Sequence, residues 1–139
     1  MTIVQPRARG HQGYNTTVPR QPQTAREVRG LLRIAYATWG LEDYTESAQT
    51  VMSELVANAV RHACGDWIRI VIERPAQDKL LVAVADKSDR LPEVKHPGED
   101  EVSGRGLGMV AEFADRWGVT ELAGGGKRVW AEIDVKVES

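Results

Sequence analysis

Apolar residues recur at helical spacing in two early stretches of the chain. From Thr24, Val28, Leu31, Leu32, Ala35 and Tyr36 fall on one side of a helix that Thr24 can cap and Gly40 can end. A second helix is predicted from about Glu42 to Ala63, where Val51, Met52, Leu55, Val56, Ala59, Val60 and Ala63 form a broad apolar arc before Gly65. The period then switches to two. Ile68, Ile70 and Ile72 alternate along one strand, Leu80 to Ala85 form a more buried one, and a Pro-Ala-Gln-Asp-Lys turn joins them as a hairpin. Leu107 to about Trp117 reads as a short helix. Val119 to Leu122 and Arg128 to Val135 read as a second hairpin around Gly124, Gly125 and Gly126.

Two stretches lack this patterning. Residues 1–23 carry Pro6, Gly10, Gly13, Pro19 and Pro22, with Arg7, Arg9 and Arg20 unopposed by acids, and read as a mobile basic arm with a short edge strand near Tyr14 to Val18. Between Asp86 and Gly104, Pro92, Pro97, Gly98 and the acidic Glu99-Asp100-Glu101 leave too few apolar residues to pack, which predicts a long loop of the kind that serves as a lid or binding segment. The order helix, helix, strand, strand, loop, helix, strand, strand predicts an α+β fold, a two-layer α/β sandwich with helices on one face of a mostly antiparallel sheet. The folded domain is expected over residues 24–139.

Composition narrows the function classes. At 139 residues, 42% hydrophobic and 27% charged, the chain suits one domain with one core. A net charge of −2 gives no general pull toward nucleic acid or anionic membrane. Cys64 is the only cysteine, so no internal disulfide can form and a reducing cytoplasm is the expected compartment. No stretch has the length of a membrane-spanning helix.

The chemistry concentrates in two remote segments. At about 100° per residue, Glu54, Asn58 and Arg61 share a narrow sector of the second helix opposite its apolar arc, with His62 at the border. A carboxylate one turn from an amide suits phosphoryl transfer: Asn58 Oδ1 is a hard ligand for Mg²⁺, and Glu54 can orient or deprotonate an attacking hydroxyl. Taken alone, this face reads more readily as a solvated one. The run Gly104-Arg105-Gly106-Leu107-Gly108 removes three side chains where a loop becomes a helix, so that backbone N–H groups can approach a polyphosphate, with Arg105 adding charge. Alone it reads equally as a flexible turn. It is neither a dinucleotide fingerprint nor a P-loop, because the glycine spacing is wrong and Gly126-Lys127 is followed by Arg128 instead of Ser or Thr. Asp86 ends an apolar strand, where its carboxylate either accepts from the exocyclic amine of adenine or opens an ordinary turn.

Together, Glu54-Leu-Val-Ala-Asn58-Ala-Val-Arg-His62-Ala, Asp86-Lys-Ser88, Gly104-Arg-Gly-Leu-Gly108 and Gly126-Lys-Arg-Val-Trp130 resemble the ordered boxes of the GHKL ATPases, the superfamily of gyrase, MutL, histidine kinases and heat-shock chaperones. Within it, the small size and the Trp117-Gly-Val and Gly-Lys-x-Val-Trp ending are similar to anti-sigma-factor serine/threonine kinases of partner-switching systems, especially stand-alone actinobacterial ones. The resemblance covers about Thr24 to Val135. It implies a Bergerat-type fold, Glu54 as catalytic base, Asn58 as Mg²⁺ ligand, Asp86 as adenine reader, and Gly104, Gly106 and Gly108 as the phosphate loop. His62, Ser88, Arg105 and Leu107 complete the expected nucleotide contacts, and Ser88 to Ser103 would be the ATP lid. It further implies ATP and Mg²⁺ as cofactors, an anti-sigma-factor antagonist as phosphoacceptor, a sigma factor as second partner, and a homodimer. Two departures stand out. Ser88 and Arg90 replace both glycines of Asp-x-Gly-x-Gly, and Arg128 replaces a threonine whose hydroxyl would support the aspartate's contact with adenine.

Competing assignments follow from these departures and from the remaining residues. A non-catalytic module that senses nucleotide, or has lost it, and sequesters a partner is the alternative function; an ATPase subunit or kinase fragment is a weaker third. His11, His62 and His96 make no ligand spacing with Cys64, so no zinc site is expected, and Cys64 reads as a bystander. Trp39, Trp67, Trp117 and Trp130 read as core or rim packing, some of them available to a partner.

Overall fold

A computed structural model describes residues 3–6, 12–87 and 105–136, with side chains over 12–87 and 108–136. Its elements run β1 (Ile3–Pro6), β2 (Gln12–Pro19), α1 (Thr24–Thr38), a 3₁₀ turn at Glu42–Tyr44, α2 (Thr45–His62), β3 (Trp67–Ala76), β4 (Lys79–Asp86), α3 (Arg105–Phe113), β5 (Arg116–Glu121) and β6 (Lys127–Asp134). The six strands form one sheet in the order β1-β2-β3-β4-β6-β5, and each described pairing is antiparallel. Ile68, Ile70 and Ile72 of β3, Leu80, Val82 and Val84 of β4, and Val129, Ala131 and Ile133 of β6 meet the apolar stripes of α1 and α2 in one core. The expected α+β two-layer arrangement is therefore present.

Several boundaries differ from the sequence reading, each for a local reason. The stretch read as an arm contributes β2, which lies inside the sheet between β1 and β3 and buries Val18 completely. Arg20 also belongs to the fold: its guanidinium donates to the carbonyls of Gly65 and, at 2.8 Å, Val60, satisfying the C-terminal end of α2. Thr24 does not cap α1. Its hydroxyl donates to the Pro19 carbonyl at 2.6 Å, which ties the helix to the end of β2. Gly40 (φ 71°) ends α1 as expected, with Leu41 N–H on the Tyr36 carbonyl and Gly40 N–H on that of Ala37, a Schellman closure.

The β3–β4 turn is shorter than expected, because pairing continues to Ala76 and Lys79 after a register shift between Glu73 and Ala76. Pro75, which has no N–H to give the ladder, sits in that irregularity. Helix α3 stops at Phe113 and Trp117 belongs to β5. Asp115 makes the break, its N–H on the Glu132 carbonyl and its carboxylate accepting from Asp134 N–H. The expected lid, residues 88–103, lies outside the described residues, as do residues 1–2 and 7–11 of the expected arm.

Candidate functional site

Helix α2 is the middle helix of its layer, packed against α1, α3 and strands β4 and β6. Its buried residues are Ala48, Val51, Met52, Leu55, Val56, Asn58 and Ala59. Asn58 alone among them is polar, and it is 8% exposed. The solvated-face reading therefore fails for Asn58, although Arg61 is exposed and Glu54 and His62 are half-buried. Neither the Asn58 carboxamide nor the Glu54 carboxylate hydrogen-bonds another described residue, whereas Arg61 and His62 are each engaged.

The glycine run lies where the sequence places it, at the start of a helix, and α3 packs directly on α2. Arg105, Gly106 and Leu107 form its first turn, and Gly108 follows half-buried. A Cβ at Gly108 would meet no described atom within 4 Å, so among the described residues nothing in the protein's own packing excludes a side chain there. The two remote segments thus converge: the helix begun by the glycine run packs on the helix that carries Asn58 and Glu54. Gly104, Ser88 and the side chains of Arg105 and Leu107 lie outside the described residues.

Asp86 has surroundings that the sequence reading did not foresee. It stands directly across the ladder from Lys127, whose ammonium donates to both carboxylate oxygens at 3.0 and 3.2 Å. Both side chains are 2% exposed. Any base read by Asp86 meets a carboxylate that already holds a lysine. Gly126 makes this approach possible: at φ 89°, a Cβ there would sit 2.2 Å from the Asp86 carbonyl oxygen. Period-two counting from Val129, Ala131 and Ile133 puts position 127 on the core face, a signal in the sequence that identifies Lys127 as a buried cation.

The same parity corrects the expectation for Arg128. Residue 128 pairs with Ala85, and its side chain lies on the face of the sheet opposite Asp86. The substitution of arginine for threonine therefore does not touch the Asp86 carboxylate.

The donor set fits Mg²⁺ and a triphosphate by its chemistry: an amide oxygen at Asn58 that no described residue engages, a carboxylate one turn earlier, and a glycine-bearing helix start on α3, which packs on α2. Among the described residues there is no cluster of three or more His, Cys, Asp or Glu able to hold a metal alone, so the cation would share its ligands with phosphate oxygens. Fold and site together define an α+β nucleotide-binding domain with helices on one face of an antiparallel sheet. The family model of the histidine kinase-like ATPase domain matches residues 18–133, and the chain belongs to that family, the GHKL type of ATP-binding domain. The curated proteins contain no match to the chain. No helix among the described residues is long and apolar enough to cross a membrane.

Proposed function

We propose that this domain is a serine/threonine kinase that transfers the γ-phosphoryl group of ATP to an anti-sigma-factor antagonist and, in its other state, holds a sigma factor. The observation that carries the reading is the pair Glu54 and Asn58 on α2, without described partners, beside the glycine-bearing start of α3. Asn58 would hold Mg²⁺, which neutralises charge on the phosphates when bound. Backbone N–H groups in the first turn of α3 would bind the phosphate chain, and Asn58 Oδ1 would supply a hard oxygen ligand to the cation. Glu54 accepts the proton of the attacking hydroxyl as its oxygen bonds to phosphorus and the bond to the ADP oxygen breaks. A homodimer and a cytoplasmic location belong to the same reading, the latter supported by the lone Cys64.

Incubation of the protein with labelled ATP, Mg²⁺ and its antagonist tests the assignment. Labelled antagonist from wild type and a loss of about a hundredfold or more in Glu54→Ala are expected. Undiminished labelling by Glu54→Ala would reject Glu54 as the base, and unlabelled antagonist from wild type would reject the kinase.

A further inference from the structure

The helix-free face of the sheet carries a feature that the nucleotide site does not use. Thr17, Arg69, Ala85 and Arg128 stand in one cross-strand row over β2, β3, β4 and β6, so two guanidinium side chains flank the small Ala85. They line an open groove of about 470 Å³ floored by Val71 and Ala85, with Lys87, Trp67 and Leu122 at its rim. Trp67 is 54% exposed and Leu122 38%.

Charge is unevenly distributed over this face. At the far end of the sheet, Lys79 and Arg116 are both tied to acids, Lys79 to Asp134 at 2.7 Å and Arg116 to Glu132 at 2.7 Å and to Asp134. Arg69, Lys87 and Arg128 have no carboxylate partner among the described residues. Arg128 Nε is buried with no acceptor among the described residues, a desolvated donor that favours any ligand able to accept from it. In a chain with a net charge of −2, three unneutralised cations around one groove are a local feature of that groove.

We infer that this groove docks an acidic segment of a partner protein, its carboxylates on Arg69, Arg128 and Lys87 and an apolar side chain against Trp67 and Leu122. Arginine presents a planar fork that takes a carboxylate in two parallel hydrogen bonds, and exposed tryptophan beside arginine is the composition of an interface hot spot. The apolar floor and rim argue for a polypeptide over nucleic acid, since three cations would neutralise few phosphates and leave Trp67 and Leu122 unused. The extent of the groove over four strands exceeds what a free phosphate would fill. Asp86 also borders the groove, but Arg69, Arg128 and Trp67 lie on the other side of the sheet from α2 and α3, so variants there and at Asn58 distinguish failure of this surface from failure of the nucleotide site.

The test uses the full chain and a fluorescein-labelled peptide alternating Asp-Glu pairs with leucine, followed by fluorescence polarisation. Saturable binding that weakens as salt rises is expected, with a loss of about tenfold or more in Arg69→Gln/Arg128→Gln and a further loss in Trp67→Ala. The same peptide with Asn and Gln in place of its acids should not compete. Should Arg128→Gln disturb folding, Arg69→Gln/Lys87→Gln, at two exposed positions, carries the same expectation. Absence of saturable binding, unchanged affinity in the folded variants, or displacement by pyrophosphate or a DNA oligomer as effectively as by the acidic peptide would overturn the assignment.

Discussion

Replacing Lys127 by methionine removes one charge from the most deeply buried ion pair described and leaves Asp86 without its ammonium. The pair lies 3.0 Å apart with both side chains 2% exposed. At an effective dielectric of about 20, unit charges at that separation attract by about 5 kcal/mol, while desolvating each ion costs several kcal/mol, so the intact pair contributes little net stability. Breaking it is different, because the attraction disappears and the desolvation of Asp86 remains. Lys127→Met should therefore cost about 3–5 kcal/mol, a large share of the roughly 5–15 kcal/mol that holds a domain together. The double variant Asp86→Val/Lys127→Met, which removes both charges, should recover to within about 1.5 kcal/mol of wild type. Urea denaturation of wild type, Lys127→Met and the double variant measures both quantities through their midpoints. A cost below about 1 kcal/mol for Lys127→Met, or a double variant no more stable than the single one, would refute the reasoning.

Three further outcomes can be checked by urea or thermal denaturation. Gly126→Ala forces a Cβ to within 2.2 Å of the Asp86 carbonyl oxygen at φ 89° and should cost more than about 2 kcal/mol, whereas Gly65→Ala, at φ 82° but with open space around it, should cost about 1 kcal/mol in the same urea series. Hydrogen bonds from Arg116 and then Lys79 hold the Asp134 carboxyl down at about 2, from an ordinary value of 3.8. With its folded pKa depressed, Asp134 contributes stability that is fully present above about pH 4 and is lost as pH falls toward 2, so the stability difference between wild type and Asp134→Asn should shrink across that window in urea midpoints taken at each pH. Truncation through Pro19 strips β2 from β3 and uncovers the Val18 side of the core, so the shortened chain should lose its cooperative thermal transition; an unchanged transition would show that the domain begins at Thr24 after all.

The elements with clean periodicity were legible from residue order. Ile68, Ile70 and Ile72 in β3 and the apolar arc of α2 announce themselves, and the helix that bears the glycine run is found at its expected place against α2. Strand β2 was visible only as a short edge strand, because its inward positions are Tyr14, Thr16 and Val18 between Gly13 and Pro19, a weak alternation inside a proline- and glycine-bearing stretch. Its burial comes from neighbours on both sides, which no local pattern encodes. Trp117 prolonged the apparent period of α3 although it begins the alternation of β5, where Gly118 lies against the Trp130 indole. At the site, Glu54 and Asn58 could be paired by helical geometry alone. The pairing of Asp86 with Lys127 needed the β4–β6 register, and the opposite facing of Arg128 needed parity along β6, two pieces of tertiary and strand geometry that a motif comparison passes over.

Titration of the purified protein with ATP and Mg²⁺, followed calorimetrically with Asn58→Ala as control, tests the central claim most directly. Saturable, Mg²⁺-dependent binding by wild type and a loss of about tenfold or more in Asn58→Ala, with thermal stability unchanged, are the expected results. Absent binding by the wild-type chain, or equal Mg²⁺-dependent binding by the variant, would contradict the account that α2 and the start of α3 together hold a triphosphate through its cation.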